Sequence, residues 1–163
     1  AGCIGCSWKG NKDSRWSKFS RKEPLFLNTK HPVFAGLPKS MRFNDESYWD
    51  MIQRDEVEVI GAVGTPANTD FQSFAEILET KGVRGQAFWT YTSGKGRVFG
   101  TTIGHFTYTY HDPMYRLLLV RGIAWALEEK PGAFMPIVFA GITDEKGMVG
   151  TRDSMMDYKN RKK

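Results

Sequence analysis

The passage Gln86-Ala87-Phe88-Trp89-Thr90-Tyr91-Thr92-Ser93-Gly94-Lys95-Gly96-Arg97-Val98-Phe99-Gly100-Thr101-Thr102-Ile103-Gly104-His105 decides the fold. Two runs rich in aromatic and β-branched residues flank a short glycine-containing loop, the pattern of a β-hairpin. Glycine takes positive φ without a Cβ clash, so Gly94-Lys95-Gly96 can reverse the chain tightly. The second run is mostly apolar, as in a strand covered on both faces. It stops at Gly104, where the backbone can lie close to another group. His105 falls just beyond this strand end.

A helix follows. Asp112 is its expected N-cap and Pro113 its N1 residue, because proline lacks an N–H that the first helical turn leaves unpaired anyway. From Met114 to Glu129 apolar residues dominate, with Tyr115, Leu118, Leu119, Gly122, Trp125 and Ala126 recurring at spacings of three and four. Gly122 on that face allows close approach to a sheet, and Pro131-Gly132 ends the helix.

Upstream of the hairpin, Val57 to Gly64 reads as a strand broken by Thr65-Pro66, and Asp70 to Lys81 as a helix of about three turns stopped by Gly82. Glu23 to Leu27 is a short strand candidate, with Asn28-Thr29-Lys30 as a turn. His31-Pro32-Val33-Phe34-Ala35-Gly36-Leu37-Pro38 is a compact element between two prolines, and Pro32 holds His31 out of helical geometry. Phe43-Asn44-Asp45-Glu46-Ser47-Tyr48-Trp49 gathers carboxylates and amphipathic aromatics. Such a mixture suits a sugar, since carboxylates accept from hydroxyls while rings cover C–H faces. The other reading of the same residues is that Asn44 or Asp45 caps a turn and the aromatics are core. Residues 1–23 read as an irregular surface excursion pinned by Trp8, Trp16 and Phe19. Beyond the helix, Phe134 to Ala140 is apolar, and Pro136 demotes it to an edge strand or packed extended segment.

The 163 residues, 40% hydrophobic and 13% aromatic, suit one globular domain, and no apolar run is long enough for a transmembrane helix. The net charge of +5 does not make a nucleic-acid surface. Positions 1–23 carry six basic residues against two acidic and positions 151–163 five against two, leaving twelve basic and fourteen acidic residues between. The excess lies at the ends, where Lys159-Asn160-Arg161-Lys162-Lys163 is a solvated tail. Cys3 and Cys6 form a lone C-x-x-C. His31, His105 and His111 are the only histidines and none stands at finger-like spacing, so neither a zinc site nor a cofactor is expected.

Three blocks in this order, residues 31–38, Asp45-Glu46-Ser47-Tyr48, and Phe88-Trp89-Thr90 leading through Gly94-Lys95-Gly96-Arg97-Val98-Phe99 to Gly104-His105, resemble the ThuA-like, or trehalose-utilisation, family. The closing Arg121-Gly122-Ile123-Ala124-Trp125-Ala126 resembles it too, and Gly5-Cys6-Ser7-Trp8 is a further candidate block. Several blocks in order are more specific than any one of them. The resemblance implies an α/β fold of the class I glutamine amidotransferase-like, flavodoxin-like kind, a three-layer sheet that is parallel between helices. It also implies that residues 1–142 are the C-terminal part of such a domain, lacking its N-terminal strands, with 143–163 as a polar, basic tail. Neither cysteine has the strand-turn-helix setting of an amidotransferase nucleophile.

The expected function follows from that resemblance: sugar or glycoside metabolism, with His105 as acid/base, Glu46 or Asp45 as its partner, and His31, Tyr48, Trp89 and Tyr91 as substrate contacts. The alternative is a carbohydrate-binding or interaction module with the same residues and no chemistry. The expected partner is a small sugar or glycoside, without nucleic acid or membrane. A second copy in a homo-oligomer, or an absent N-terminal segment, is expected to cover the apolar helix face.

Overall fold

The computed structural model describes residues 5–7, 15–19, 24–64, 71–80 and 84–139. In chain order the strands are β1 (Cys6–Ser7), β2 (Arg15–Phe19), β3 (Leu25–Leu27), β4 (Ser40–Met41), β5 (Asp45–Trp49), β6 (Ile52–Gln53), β7 (Glu58–Gly64), β8 (Arg84–Ser93) and β9 (Gly96–Thr101). The helices are α1 (Phe74–Glu79), α2 (Pro113–Ala126) and α3 (Met135–Phe139), with a 3-10 turn at Thr107–His111 before α2. The main sheet runs β2-β5-β8-β7-β3-β4, with β9 also on β8, while β1 and β6 pair separately.

Alternation along the strands sorts the core into layers. Leu25 and Leu27 of β3 join Ile60, Phe88, Tyr115 and Leu118 under α2, whereas Phe26 joins Val59, Ala62 and Ile77 under α1. The sheet is therefore covered on both faces, giving three layers and an α/β class. The pairings among the described strands are all antiparallel. The resemblance implied a parallel sheet. The β8–β9 connection shows why these strands are not: two residues, Gly94 and Lys95, join the Ser93–Gly96 pair, too few for a crossover, and Gly94 sits at φ 60°.

Asp112 accepts from Met114 N at 2.8 Å and from Tyr115 N at 3.4 Å, so α2 starts where its cap and proline place it. The helix stops earlier than Glu129, at Ala126, with Glu128 at φ 63° turning the chain away. Gly122 faces the Phe99 ring so closely that a Cβ would overlap it, and Phe99 stacks on Phe88 at 5.8 Å and 20°. Helix α1 is capped by Ser73, which accepts from Glu76 N, while the Glu76 carboxylate accepts from Gln72 N. The helix spans six residues rather than the three turns expected from Asp70 to Lys81, since Phe71 and Gln72 precede its cap, while Asp70 and Gly82 themselves lie outside the described residues.

Two expectations are corrected. Residues 15–19 form strand β2 on the edge of β5 rather than an irregular excursion, because β5 supplies backbone partners that no local pattern reveals. Residues 135–139 form a short helix rather than an extended segment, since Pro136 falls in the first turn, where its missing N–H costs nothing. Residues 143–163 lie outside the described residues. Among the described residues, no helix is long and apolar enough to cross a membrane.

Candidate functional site

One edge of β8 changes partner along its length. Gly85 pairs with Trp49 of β5 on the edge opposite β7, and Phe88 to Ser93 pair with β9 on that same edge. Between the departing strands lies an open cleft of about 380 Å³, lined by Tyr48, Met51, Thr101, Thr102, His105 and Tyr110 among others.

Strand β5 and the chain after β9 supply the polar groups. The Glu46 carboxylate is buried and accepts from the Tyr48 hydroxyl at 2.9 Å. His105, half-exposed, brings Nδ1 to 3.4 Å from that hydroxyl and 3.5 Å from Glu46 Oε2. Glu46 and Tyr48 are two residues apart in a strand and so share a face. Burial, and then the hydrogen bond to Glu46, push the Tyr48 phenol up to about 12, so it stays protonated and acts as a donor. With its proton on Nδ1, the imidazole points that N–H toward Glu46 and leaves Nε2 as a base.

Asp45 acts differently from the acid/base partner considered in the sequence. It has no exposed surface, and its carboxylate accepts from Glu46 N at 2.7 Å, from Gly104 N and His105 N at 3.1 Å each, and from the Thr109 hydroxyl. Burial pushes this carboxyl above the usual range, against the pull of those four donors. A group so enclosed holds the His105 loop to β5 and is not among the residues lining the cleft. Gly104 reaches φ 115°, and a Cβ there would lie 2.6 Å from both the Tyr110 and Tyr115 hydroxyls. The close approach expected at this glycine is thus made by two phenols.

The remaining sequence candidates lie elsewhere. His31 is buried against Trp125, with ring centroids 5.6 Å apart; its Nδ1 accepts from Val33 N at 3.2 Å and its Nε2 lies 4.0 Å from Glu58. Burial lowers its pKa, opposed by the Glu58 charge. Arg121 ties the same loop to α2 by donating to the carbonyls of Pro32 and Ala35. Trp89 and Tyr91 are buried in a cluster with Cys6 and Val57, and Gly100 leaves room for the Trp89 ring. Both rings, expected as substrate contacts, are packed in this cluster and are not among the residues lining the cleft. Cys6 is a buried free thiol whose pKa burial raises to about 11. Tyr110, Thr101, Thr102 and Met51 line the cleft without having been singled out. The one signal for Tyr110 was the density of aromatics and hydroxyls in Phe106-Thr107-Tyr108-Thr109-Tyr110 directly after His105. Among the described residues, no group of three or more His, Cys, Asp and Glu side chains converges as a metal site would require.

A three-layer α/β domain, with an imidazole beside a buried carboxylate where an edge of the sheet changes partner, defines the class. The chain belongs to the trehalose utilisation (ThuA) family, whose sequence model matches residues 3–126. A crystal structure of a Parabacteroides merdae protein described as ThuA-like shares the fold, with a TM-score of 0.55 at 23% identity. The similarity covers 78% of this chain and 48% of that one, so the chain spans about half the length of that relative. No functionally curated protein matches the chain.

Proposed function

We propose that this ThuA-family domain acts on a sugar or glycoside of the trehalose type, with His105 transferring a proton to or from a hydroxyl or carbonyl group of the ligand. One observation carries the reading: a half-exposed imidazole on an open cleft has its inner nitrogen within 3.5 Å of a buried carboxylate and within 3.4 Å of a protonated phenol. Glu46 orients the ring and stabilises the imidazolium that proton uptake creates, while Tyr48 fixes the carboxylate. Thr101 and Thr102 present hydroxyls on the cleft wall, though Thr101 Oγ1 donates to Ala87 O and Thr102 Oγ1 to Gln86 O. Thr101 Oγ1 also accepts from Ile103 N at 3.0 Å, so Thr102 is the better placed of the two to accept from a ligand hydroxyl.

The test is turnover of trehalose and related glycosides by the wild-type chain, by His105→Gln and by Glu46→Gln, with folding checked by circular dichroism. Loss of kcat by about 10²- to 10⁴-fold in His105→Gln is expected for removal of a general acid/base. Unchanged turnover in that variant would overturn the assignment. A second reading, a carbohydrate-binding module without chemistry, draws on the length of the His105 contacts, both longer than a tight charge-assisted hydrogen bond. Affinity for sugar with no turnover at any pH would select it.

A further inference from the structure

We infer that Tyr110 is the aromatic platform on which a ligand's ring is seated, and so determines specificity in the cleft that holds His105. This rests on the reading of that cleft as a sugar site. Trp89 and Tyr91 cannot serve, being packed in the core. Tyr110 lines the cleft and is 47% exposed, one of the few large apolar side chains left open to solvent among the described residues.

An exposed aromatic ring is ordinary on a protein surface, but this one is held at two points. Its ring packs edge-on against buried Tyr115, with centroids 5.3 Å apart at 83°. Its hydroxyl lies near that of Tyr115, both within 2.6 Å of where a Cβ on Gly104 would stand, and the Tyr115 hydroxyl donates to the carbonyl of Ile103 in the cleft wall. Its own carbonyl accepts from Arg116 Nε of α2. Gly104 makes the arrangement possible, since any side chain there would strike both phenol oxygens. The ring is thus fixed before a ligand arrives, so little rotamer freedom is lost on binding.

A sugar has two kinds of surface, hydroxyl edges and C–H faces. Tyr48 and His105 present polar atoms in the cleft, and Tyr110 adds an aromatic surface that can cover a C–H face. The inferred ligand is therefore a pyranose-type ring with one face of axial C–H groups, placed between the phenol ring and the acid/base group. An open-chain polyol, which has no such face, gains nothing from Tyr110.

The experiment uses trehalose as the probe and sorbitol as the open-chain comparison, with wild type, Tyr110→Phe and Tyr110→Leu. Kd comes from titration calorimetry, KM and kcat from turnover, and sugar proton shifts from NMR. Tyr110→Leu keeps apolar bulk without a π-face, and is expected to weaken trehalose binding about three- to tenfold. KM rises and kcat stays, as for a contact made equally in ground and transition states. The upfield ring-current shift of trehalose C–H protons persists in Tyr110→Phe and disappears in Tyr110→Leu, a signature that a merely structural role would not produce. Sorbitol binding is indifferent to both changes. Trehalose Kd and proton shifts unchanged in Tyr110→Leu would overturn the inference while leaving His105 in place. If wild type binds trehalose without turnover and Tyr110→Leu loses that binding, the catalytic reading fails and the platform stands. No trehalose binding by wild type overturns both.

Discussion

The backbone N–H of His105 donates to the carboxylate of Asp45, 60 residues earlier in the chain, at 3.1 Å. With the bonds from Gly104 N and the Thr109 hydroxyl, this one buried side chain fastens the whole passage after β9 to the start of β5. In Asp45→Asn the amide –NH₂ would face N–H and O–H donors, so at least one of them loses its acceptor. We expect a loss of about 2–4 kcal/mol in urea unfolding, set by hydrogen bonds to a charged group and by the buried donors left behind. Thr109→Val removes one bond only and is expected to cost about 1.5–3 kcal/mol. Equal stability of all three chains would show that the loop is held by something else.

Gly122→Ala sets two effects against each other. Alanine gains about 1 kcal/mol of helix propensity over glycine, but its Cβ would overlap the Phe99 ring. That ring is stacked on Phe88 and cannot move aside freely, so overpacking of about 1–3 kcal/mol wins and the variant is less stable. Combining it with Phe99→Leu should recover part of the loss. A double-mutant cycle measures the coupling.

Tyr48→Phe tests the phenol's place in the site. The hydroxyl is partly buried and donates to Glu46, so its removal is expected to cost about 0.5–1.5 kcal/mol of stability. If His105 depends on this pairing, kcat falls by about tenfold or more and the pH profile moves, while KM changes little. A profile superimposable on the wild type would remove Tyr48 from the chemistry.

His31 makes stability depend on pH. Burial lowers its folded-state pKa below the ordinary 6.5, with Glu58 opposing. Between those two values the unfolded chain binds more protons than the folded one, so stability rises with pH across this window. The contribution is complete above about 6.5 and is lost as the pH falls through the folded value. Urea midpoints from about pH 5 to about pH 7.5 should climb for the wild type and flatten in His31→Gln, where nothing titrates at that position.

Much of the architecture was legible because it is written in local chemistry. The Gly94-Lys95 turn, the Asp112-Pro113 helix start and the Gly122 contact face each rest on a backbone preference or a steric gap that a few neighbouring residues display. Strand β2 was not legible, since its pairing partner lies about thirty residues away and nothing in Arg15–Phe19 announces it. At the site, Glu46, Tyr48 and His105 stood out by type and position after a strand end. Asp45 looked like a second acid until the tertiary fold surrounded it with donors, and Trp89 and Tyr91 looked like ligand contacts because aromatic residues in a strand read alike on either face. Tyr110 escaped because its meaning depends on Gly104 and Tyr115, which only the fold brings beneath it.

The change of partner along β8 has a consequence for how the cleft can vary. The spacing between β5 and the end of β9 is measured out by backbone pairing on a shared strand, and the Asp45 bonds then tie the passage after β9 to β5. A slip of one residue in β9 would carry His105 about 3.3 Å along the sheet and turn Phe99 to the opposite face. The short Gly94-Lys95 turn, some ten residues from the imidazole, therefore works as a ruler: its length calibrates the distance between His105 and Glu46.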